Sequence, residues 1–267
     1  MGRRNESCAF FILNRGCYLG FYMLLNLVAP DKDKYIYRII SIERLFELFH
    51  SEKNTLVNPM KWEDSFENFI LDSKVKNLSG EIFEYKFGKY MYGQCWTLHE
   101  SSDAMWRIYS PNKSAVRIRT TIGALISSIY NANVVHQQFT CCIGKVQYCD
   151  EVELFDIANE IFDDSGISVE NVFRSLLLKR KAFVHENEIR LLYQSLDNKV
   201  DELYRYAVDP SSLISEITID PRKTDVEFEM TKFIIEKSIN YKGIINKSDL
   251  YNAPKIDFLD VTNKFQY

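Results

Sequence analysis

Residues 179–193 read Lys-Arg-Lys-Ala-Phe-Val-His-Glu-Asn-Glu-Ile-Arg-Leu-Leu-Tyr, and the last eight, from Glu186 to Tyr193, alternate as a strand does. Period two puts Glu186, Glu188 and Arg190 on one face, with Ile189 and Leu191 on the other. Same-face neighbours lie about 6.5–7 Å apart, so one carboxylate is free to meet a ligand while Arg190 balances the other. A solvated strand face carries the same pattern. Lys179, Arg180 and Lys181 just upstream make the surroundings positive, where an anionic ligand docks.

Outward from this stretch, residues 35–40 alternate as a strand, and Ser41 caps a helix with Ile42, Leu45, Phe46 and Phe49 at i, i+3, i+4, i+7. Residues 55–57, 90–98, 115–119, 140–148, 214–219 and 241–245 also read as strands. Residues 103–109, 121–131, 150–163, 168–181 and 224–239 read as helices. Strands and helices mix without strict βαβ alternation. The expected fold is therefore α+β, with a mainly antiparallel central sheet and flanking helices.

The chain has 267 residues, 46% hydrophobic and 26% charged, which suits a packed globular protein and excludes a disordered or fibrous one. Lys+Arg 33 against Asp+Glu 37 gives a net charge of −4, which disfavours broad, non-specific nucleic-acid binding but leaves room for a local basic groove. None of the six cysteines forms a CxxC pair, and no histidine stands near them at zinc-ligand spacing. Reduced thiols, no metal and a cytoplasmic location are expected.

Residues 1–34 stand apart. Residues 9–29 are mostly apolar, yet Pro30 follows Ala29 where a signal peptidase would cut. Residues 17–25 fall far short of the roughly 20 needed to cross a bilayer. This segment reads as an apolar extension, helical or preceding a later start at Met23, with 35–267 as a single α+β domain and no membrane partner.

There is no P-loop, GxGxxG, HExxH or GxSxG, and His50, His99, His136 and His185 are isolated. Chemistry must come from carboxylates, arginines, hydroxyls and aromatics. Besides Glu186, Glu188 and Arg190, one cluster is Cys95-Trp96-Thr97 followed by Asp103-Ala-Met-Trp106-Arg-Ile-Tyr109, which suits a flat pocket for a ring; ordinary aromatic core reads equally well for Met105 and Trp106. Another is Asn58-Pro59-x-x-Trp62-x-Asp64-x-Phe66-Glu67, read first as a loop fixed by side-chain to backbone bonds.

Together, Tyr37-Arg38, Asn58-Pro59 with Asp64-Ser-Phe-Glu67, Cys95-Trp-Thr97 with Met105-Trp-Arg-Ile-Tyr109, and Lys179-x-Lys181-x-Phe183-x-His185-Glu186-x-Glu188-x-Arg190 resemble a bacterial family, domain of unknown function 2971, over roughly residues 35–255. Departures are Ser65 for the family's proline, Thr97 for serine, and Phe183 and His185 for its usual aromatics. The order Arg38, aromatic-x-Thr97, Glu186-x-Glu188 is similar to the Arg, Ser/Thr and Glu-x-Glu pattern of ADP-ribosyltransferases. That resemblance implies NAD as substrate, with Arg38, Tyr37, Thr97, Trp96, Trp106 and Arg190 binding it. It further implies that Glu188 stabilises an oxocarbenium-like ribose and Glu186 orients the acceptor. About 90 residues separate Thr97 from Glu188, more than in compact transferases, so an insertion of two helices is implied.

The implied role is a toxin or antiviral-defence enzyme acting on a protein or nucleic-acid acceptor, alone or with a defence-system partner. Two other classes stay open. A nucleotide- or protein-binding sensor would use the same pocket without turnover, and a divalent-metal hydrolase or nuclease would use Asp64, Glu67, Glu186 and Glu188.

Overall fold

The computed structural model describes residues 8–11, 21–69, 71, 74–76, 80–84, 87–133, 140–161, 168–195 and 200–253. In chain order the strands are β1 (Cys8–Phe11), β2 (Phe21–Leu25), β3 (Tyr35–Ser41), β4 (Lys53–Val57), β5 (Lys74–Lys76), β6 (Ile82–Glu84), β7 (Met91–Thr97) and β8 (Ala115–Thr121). Then come β9 (Thr140–Lys145), β10 (Gln147–Cys149), β11 (Leu178–Arg180), β12 (Glu188–Gln194), β13 (Leu203–Ala207), β14 (Glu216–Ile219) and β15 (Ile244–Lys247). The helices are α1 (Ile42–Ser51), α2 (Asp103–Tyr109), α3 (Ile122–Asn133), α4 (Glu151–Ile161), α5 (Val169–Ser175), α6 (Pro210–Leu213) and α7 (Asp225–Ile239).

One sheet dominates the described residues, in the order β1-β2-β9-β12-β7-β3-β8-β14-β15, with β4 and β13 branching from β7. Its ladders are antiparallel except β2–β9 and β14–β15, so the α+β class with a mainly antiparallel sheet holds.

Strand alternation separates the two faces. Ile189, Leu191 and Tyr193 of β12 join Trp96, Ile36, Ile40 and Ile118 in the larger core, roofed by Leu45 of α1 and by Ile122, Leu125, Ile126 and Ile129 of α3. Leu192, Cys142, Met23 and Leu25 point the other way, against Val172 and Phe173 of α5. Adjacent Cys141 and Cys142 thus serve opposite cores, as a strand demands. The helix starts carry the caps their sequences announce. Ser41 Oγ accepts from Arg44 N at 3.3 Å, and Thr224 with Glu227 forms a capping box on α7.

Three readings change. The apolar N-terminal stretch is strand where it is described: β2 pairs with β9 and Leu24 and Leu25 are fully buried. A strand buried on both faces reads as an unbroken apolar run, which periodicity alone does not distinguish from a helix. The helix read over 168–181 ends at Ser175, and Leu178–Arg180 forms β11 beside β10. Glu186 is not on a strand. It closes a 3-10 turn, Lys181–Glu186, and Asn187 takes a left-handed φ of 42°, a conformation asparagine tolerates, before β12 begins.

If β2 is part of the core, Leu24→Ala should cost about 2–5 kcal/mol in urea unfolding, the range for a buried leucine. A cost below about 1 kcal/mol, the scale of a surface substitution, would make residues 21–25 peripheral.

Candidate active site

The site forms where β7 lacks a continuous neighbour. On one edge β12 pairs with it throughout, from Glu188↔Thr97 to Gln194↔Met91. On the other edge β3 meets it only at Tyr37↔Thr97 and β4 only at Val57↔Gly93. Between those two points the strands part, beside Gln94, Cys95 and Trp96. Gln94 ties the gap on its β4 side, its Nε2 donating to Asn54 Oδ1 at 2.7 Å and to Thr55 O at 2.9 Å. Its Oε1 accepts from Trp96 Nε1 at 2.8 Å.

A cavity of about 150 Å³ opens at this gap, lined by Tyr37, Arg38, Cys95, Trp96, Thr97, Glu186 and Glu188, with Met105 and Tyr109 from α2. Six residues picked from the sequence thus meet: Tyr37, Arg38, Trp96, Thr97, Glu186 and Glu188. The other two, Arg190 and Trp106, do not line it. Arg190 is 0% exposed and Trp106 1%. Met105 and Tyr109, four apart, share the helix face turned to the cavity, and Trp106 is a third of a turn away.

Beneath the cavity lies a buried charge cluster. Lys179 Nζ meets Glu186 Oε2 at 2.5 Å, Glu67 Oε1 at 3.0 Å and Glu188 Oε2 at 3.2 Å. Arg190 donates from Nε to Glu188 Oε1 at 2.8 Å and from Nη2 to Glu188 Oε2 at 2.9 Å, and it also binds Glu67. Its Nη1 donates to Leu176 O at 2.6 Å, and the Trp62 ring covers the guanidinium at 4.4 Å. Gly93 makes room for that ring, since a Cβ there would stand 2.6 Å from Trp62 Cζ2.

Three carboxylates against two cations leave one negative charge beside the cavity. Burial pushes the Glu188 carboxyl up, but Arg190 and Lys179 outweigh it and hold it at about 2. For Glu67 burial wins over the same two cations, and its carboxyl is raised. Burial and the Glu188 charge push the Cys95 thiol well up, so Cys95 stays protonated.

The remaining groups divide into scaffold and free surface. Thr97 Oγ1 donates to Glu186 O at 2.6 Å and accepts from His99 N at 3.0 Å, so this hydroxyl fixes the turn that carries Glu186. Tyr109 Oη donates to Glu186 Oε1 at 3.1 Å. Glu188 N donates to Tyr148 Oη at 2.9 Å. Arg38 differs from all of these. It is half-buried and has no hydrogen-bond or ion-pair partner among the described residues, and burial lowers its pKa to about 10. A partly desolvated cation without an anion is prepared to receive one.

The sequence names Tyr109 as a wall of a ring pocket and Glu67 beside Glu186 and Glu188, but gives neither Lys179 nor Tyr148 its role in the cluster. Lys179 opens the basic run and Glu67 closes the Asn58-to-Glu67 loop, so both were visible as types. Nothing in the sequence pairs Tyr148 with Glu188.

Residues 105–191 match the model of a family described as a protein of unknown function, DUF2971. No curated protein matches the chain. Among solved structures, DarT from Thermus sp. 2.9 in complex with carba-NAD+ is similar at 13% identity and TM-score 0.36, over 82% of this chain and 98% of that one. The same protein with NAD+ gives 14% and 0.37 over 82% and 98%, and with ADP-ribosylated single-stranded DNA 12% and 0.38 over 82% and 96%. At such identities and scores, the functional reading has to come from the site itself.

The Glu188 pKa carries a pH signature. Because its folded pKa of about 2 lies below the ordinary 4.5, its stabilisation is complete above pH 4.5 and fades as pH falls toward 2. Glu67, raised, works in the opposite sense. The stability gap between wild type and Glu188→Gln should therefore be largest above pH 4.5 and close toward pH 2 in urea unfolding. A gap independent of pH would mean that the charge is not what the cluster holds. Arg190→Met should cost about 3–5 kcal/mol, because two carboxylates lose a buried partner.

Proposed function

We propose that this chain is an NAD-dependent enzyme of the ADP-ribosyl-transfer or NAD-cleaving type, with the cavity over Glu188 receiving the nicotinamide riboside end. The observation that carries the reading is the pairing, in one ring-sized cavity, of a charged carboxylate (Glu188) with a cation that has no hydrogen-bond or ion-pair partner among the described residues (Arg38). A cavity of about 150 Å³ is smaller than the roughly 300–1,000 Å³ of a full drug-sized site, so it takes a ring or a sugar while the rest of a dinucleotide lies outside.

The chemistry follows from the charges. When the bond from the ribose anomeric carbon to the nicotinamide nitrogen breaks, both electrons go to the pyridinium, which leaves as neutral nicotinamide. The ribose becomes oxocarbenium-like and positive. A fixed carboxylate beside it lowers that barrier, and with a pKa of about 2 Glu188 keeps its charge at any physiological pH. An acceptor hydroxyl, amine or water then adds to the same carbon and loses a proton. Glu186 is held between Tyr109 and Lys179, which supports the reading that it orients the acceptor. Tyr37, Trp96 and Tyr109 give the leaving ring aromatic walls.

Two observations bear on the other classes. Glu188 already accepts from Arg190 twice and from Lys179 once, which favours a nucleotide sensor without turnover as the second reading. For a metal hydrolase, the point where Glu67, Glu186 and Glu188 converge is occupied by the Lys179 ammonium, and Asp64 is paired with Arg180 at 3.0 Å.

With NAD as substrate, Glu188→Gln should lower nicotinamide release by roughly 10²-fold or more, while NAD affinity changes little. Arg38→Ala should instead weaken NAD binding by about 1.5–3 kcal/mol, the value of a hydrogen bond to a charged group. Chromatography of released nicotinamide and calorimetry separate the two. Turnover that ignores Glu188→Gln refutes the assignment, and NAD binding without turnover by the wild type moves it to the sensor.

A further inference from the structure

Arg38 also lines a second, smaller cavity on the other side of the gap between β3 and β4, together with Arg44, Glu47, Lys53, Asn54 and Gln94. Its volume is about 40 Å³, enough for ordered water or a small anion and too little for a ring. Three of its lining residues are cationic and one is acidic, with apolar side chains making up much of the rest. Glu47 has only a loose contact with Arg205, at 3.9 Å.

The neutral polar groups here are already satisfied by one another. Asn54 Nδ2 donates to Tyr206 Oη at 2.8 Å, and Asn54 Oδ1 accepts from Gln94 Nε2 at 2.7 Å. The cations are not. The side chains of Arg38, Arg44 and Lys53 have no hydrogen-bond or ion-pair partner among the described residues. Surface cations often point into water, but here one of the three is half-buried and all line one small cavity, so an anion entering it would replace water around each.

The geometry points to an anion site in which Arg38, Arg44 and Lys53 take a phosphoryl group, supplied by a nucleoside diphosphate or by free phosphate. Arg38 and Trp96 border both cavities, so a ligand with its ring over Glu188 would bring a diphosphate to Arg38, beside the smaller cavity. The assignment rests on the NAD reading for the identity of that ring-bearing end, but not for the anion itself. Fork-like guanidinium donors and a lysine point charge are the groups that bind phosphate best.

Calorimetry of the full chain with ADP and with pyrophosphate, neither of which holds a glycosidic nicotinamide, tests this site apart from turnover. Both should bind the wild type, and Arg44→Ala and Lys53→Ala should each weaken binding by about tenfold, the effect of one lost charge-assisted hydrogen bond. Arg44→Glu should abolish it. Both exposed positions tolerate substitution, and an unchanged unfolding transition checks that. ADP binding without pyrophosphate binding makes the nucleotide the source of the anion, and equal binding makes it the phosphate alone. No binding of either at millimolar concentration, or binding indifferent to Arg44 and Lys53, overturns the site. If these results hold and NAD is not cleaved, the NAD reading falls and the anion site stands.

Discussion

A guanidinium with no access to water, Arg190, organises the centre of this molecule. Leaving a charge of that kind unpaired in a protein interior is costly by several kcal/mol. Glu188 and Glu67 neutralise it, Leu176 O accepts from its Nη1 and Trp62 caps its face. Those partners come from β12, the 3-10 turn at Ser65–Glu67, the end of α5 and the loop after β4. The cluster therefore ties residues 62–67 to residues 176–190, with Glu67 and Arg190 123 positions apart, and the cavity inherits their rigidity.

The same arrangement divides labour between two arginines of opposite electrostatic state. Arg190 is paired with two carboxylates and holds Glu188 ionised. Arg38 has no hydrogen-bond or ion-pair partner among the described residues and lines the cavity. That contrast depends on the interrupted ladder along β7. Had β3 continued beside it past Tyr37↔Thr97, the backbone would close the gap where Arg38 now borders two cavities.

Much of this was legible from residue types and spacing. The strand and helix at 35–51, the helix at 103–109 and the alternation after Glu188 each follow a local rule. Tyr37, Arg38, Trp96, Thr97, Glu186 and Glu188 meet as motif order suggested. What failed was non-local. The run at 21–25 looks helical or appended unless one knows that β9 lies beside it, and Arg190 looks like a ligand contact unless its neighbours' burial is known. Glu186 reads as a strand residue because nothing in the sequence says that Asn187 turns left-handed. Lys179 is one of three basic residues, and only packing selects it over Lys181, which is exposed and pairs with Asp150 and Glu153.

The claim on which the account stands is that a ribose joined to nicotinamide lies against Glu188. A crystal structure of the protein with a non-hydrolysable NAD analogue measures this directly. The account predicts the anomeric carbon about 3–3.5 Å from a Glu188 carboxylate oxygen, the distance of a productive contact, with the nicotinamide between Tyr37 and Tyr109 and a phosphate on Arg38. An analogue bound with its nicotinamide riboside outside the cavity, and Arg38 still without an anion, would contradict it.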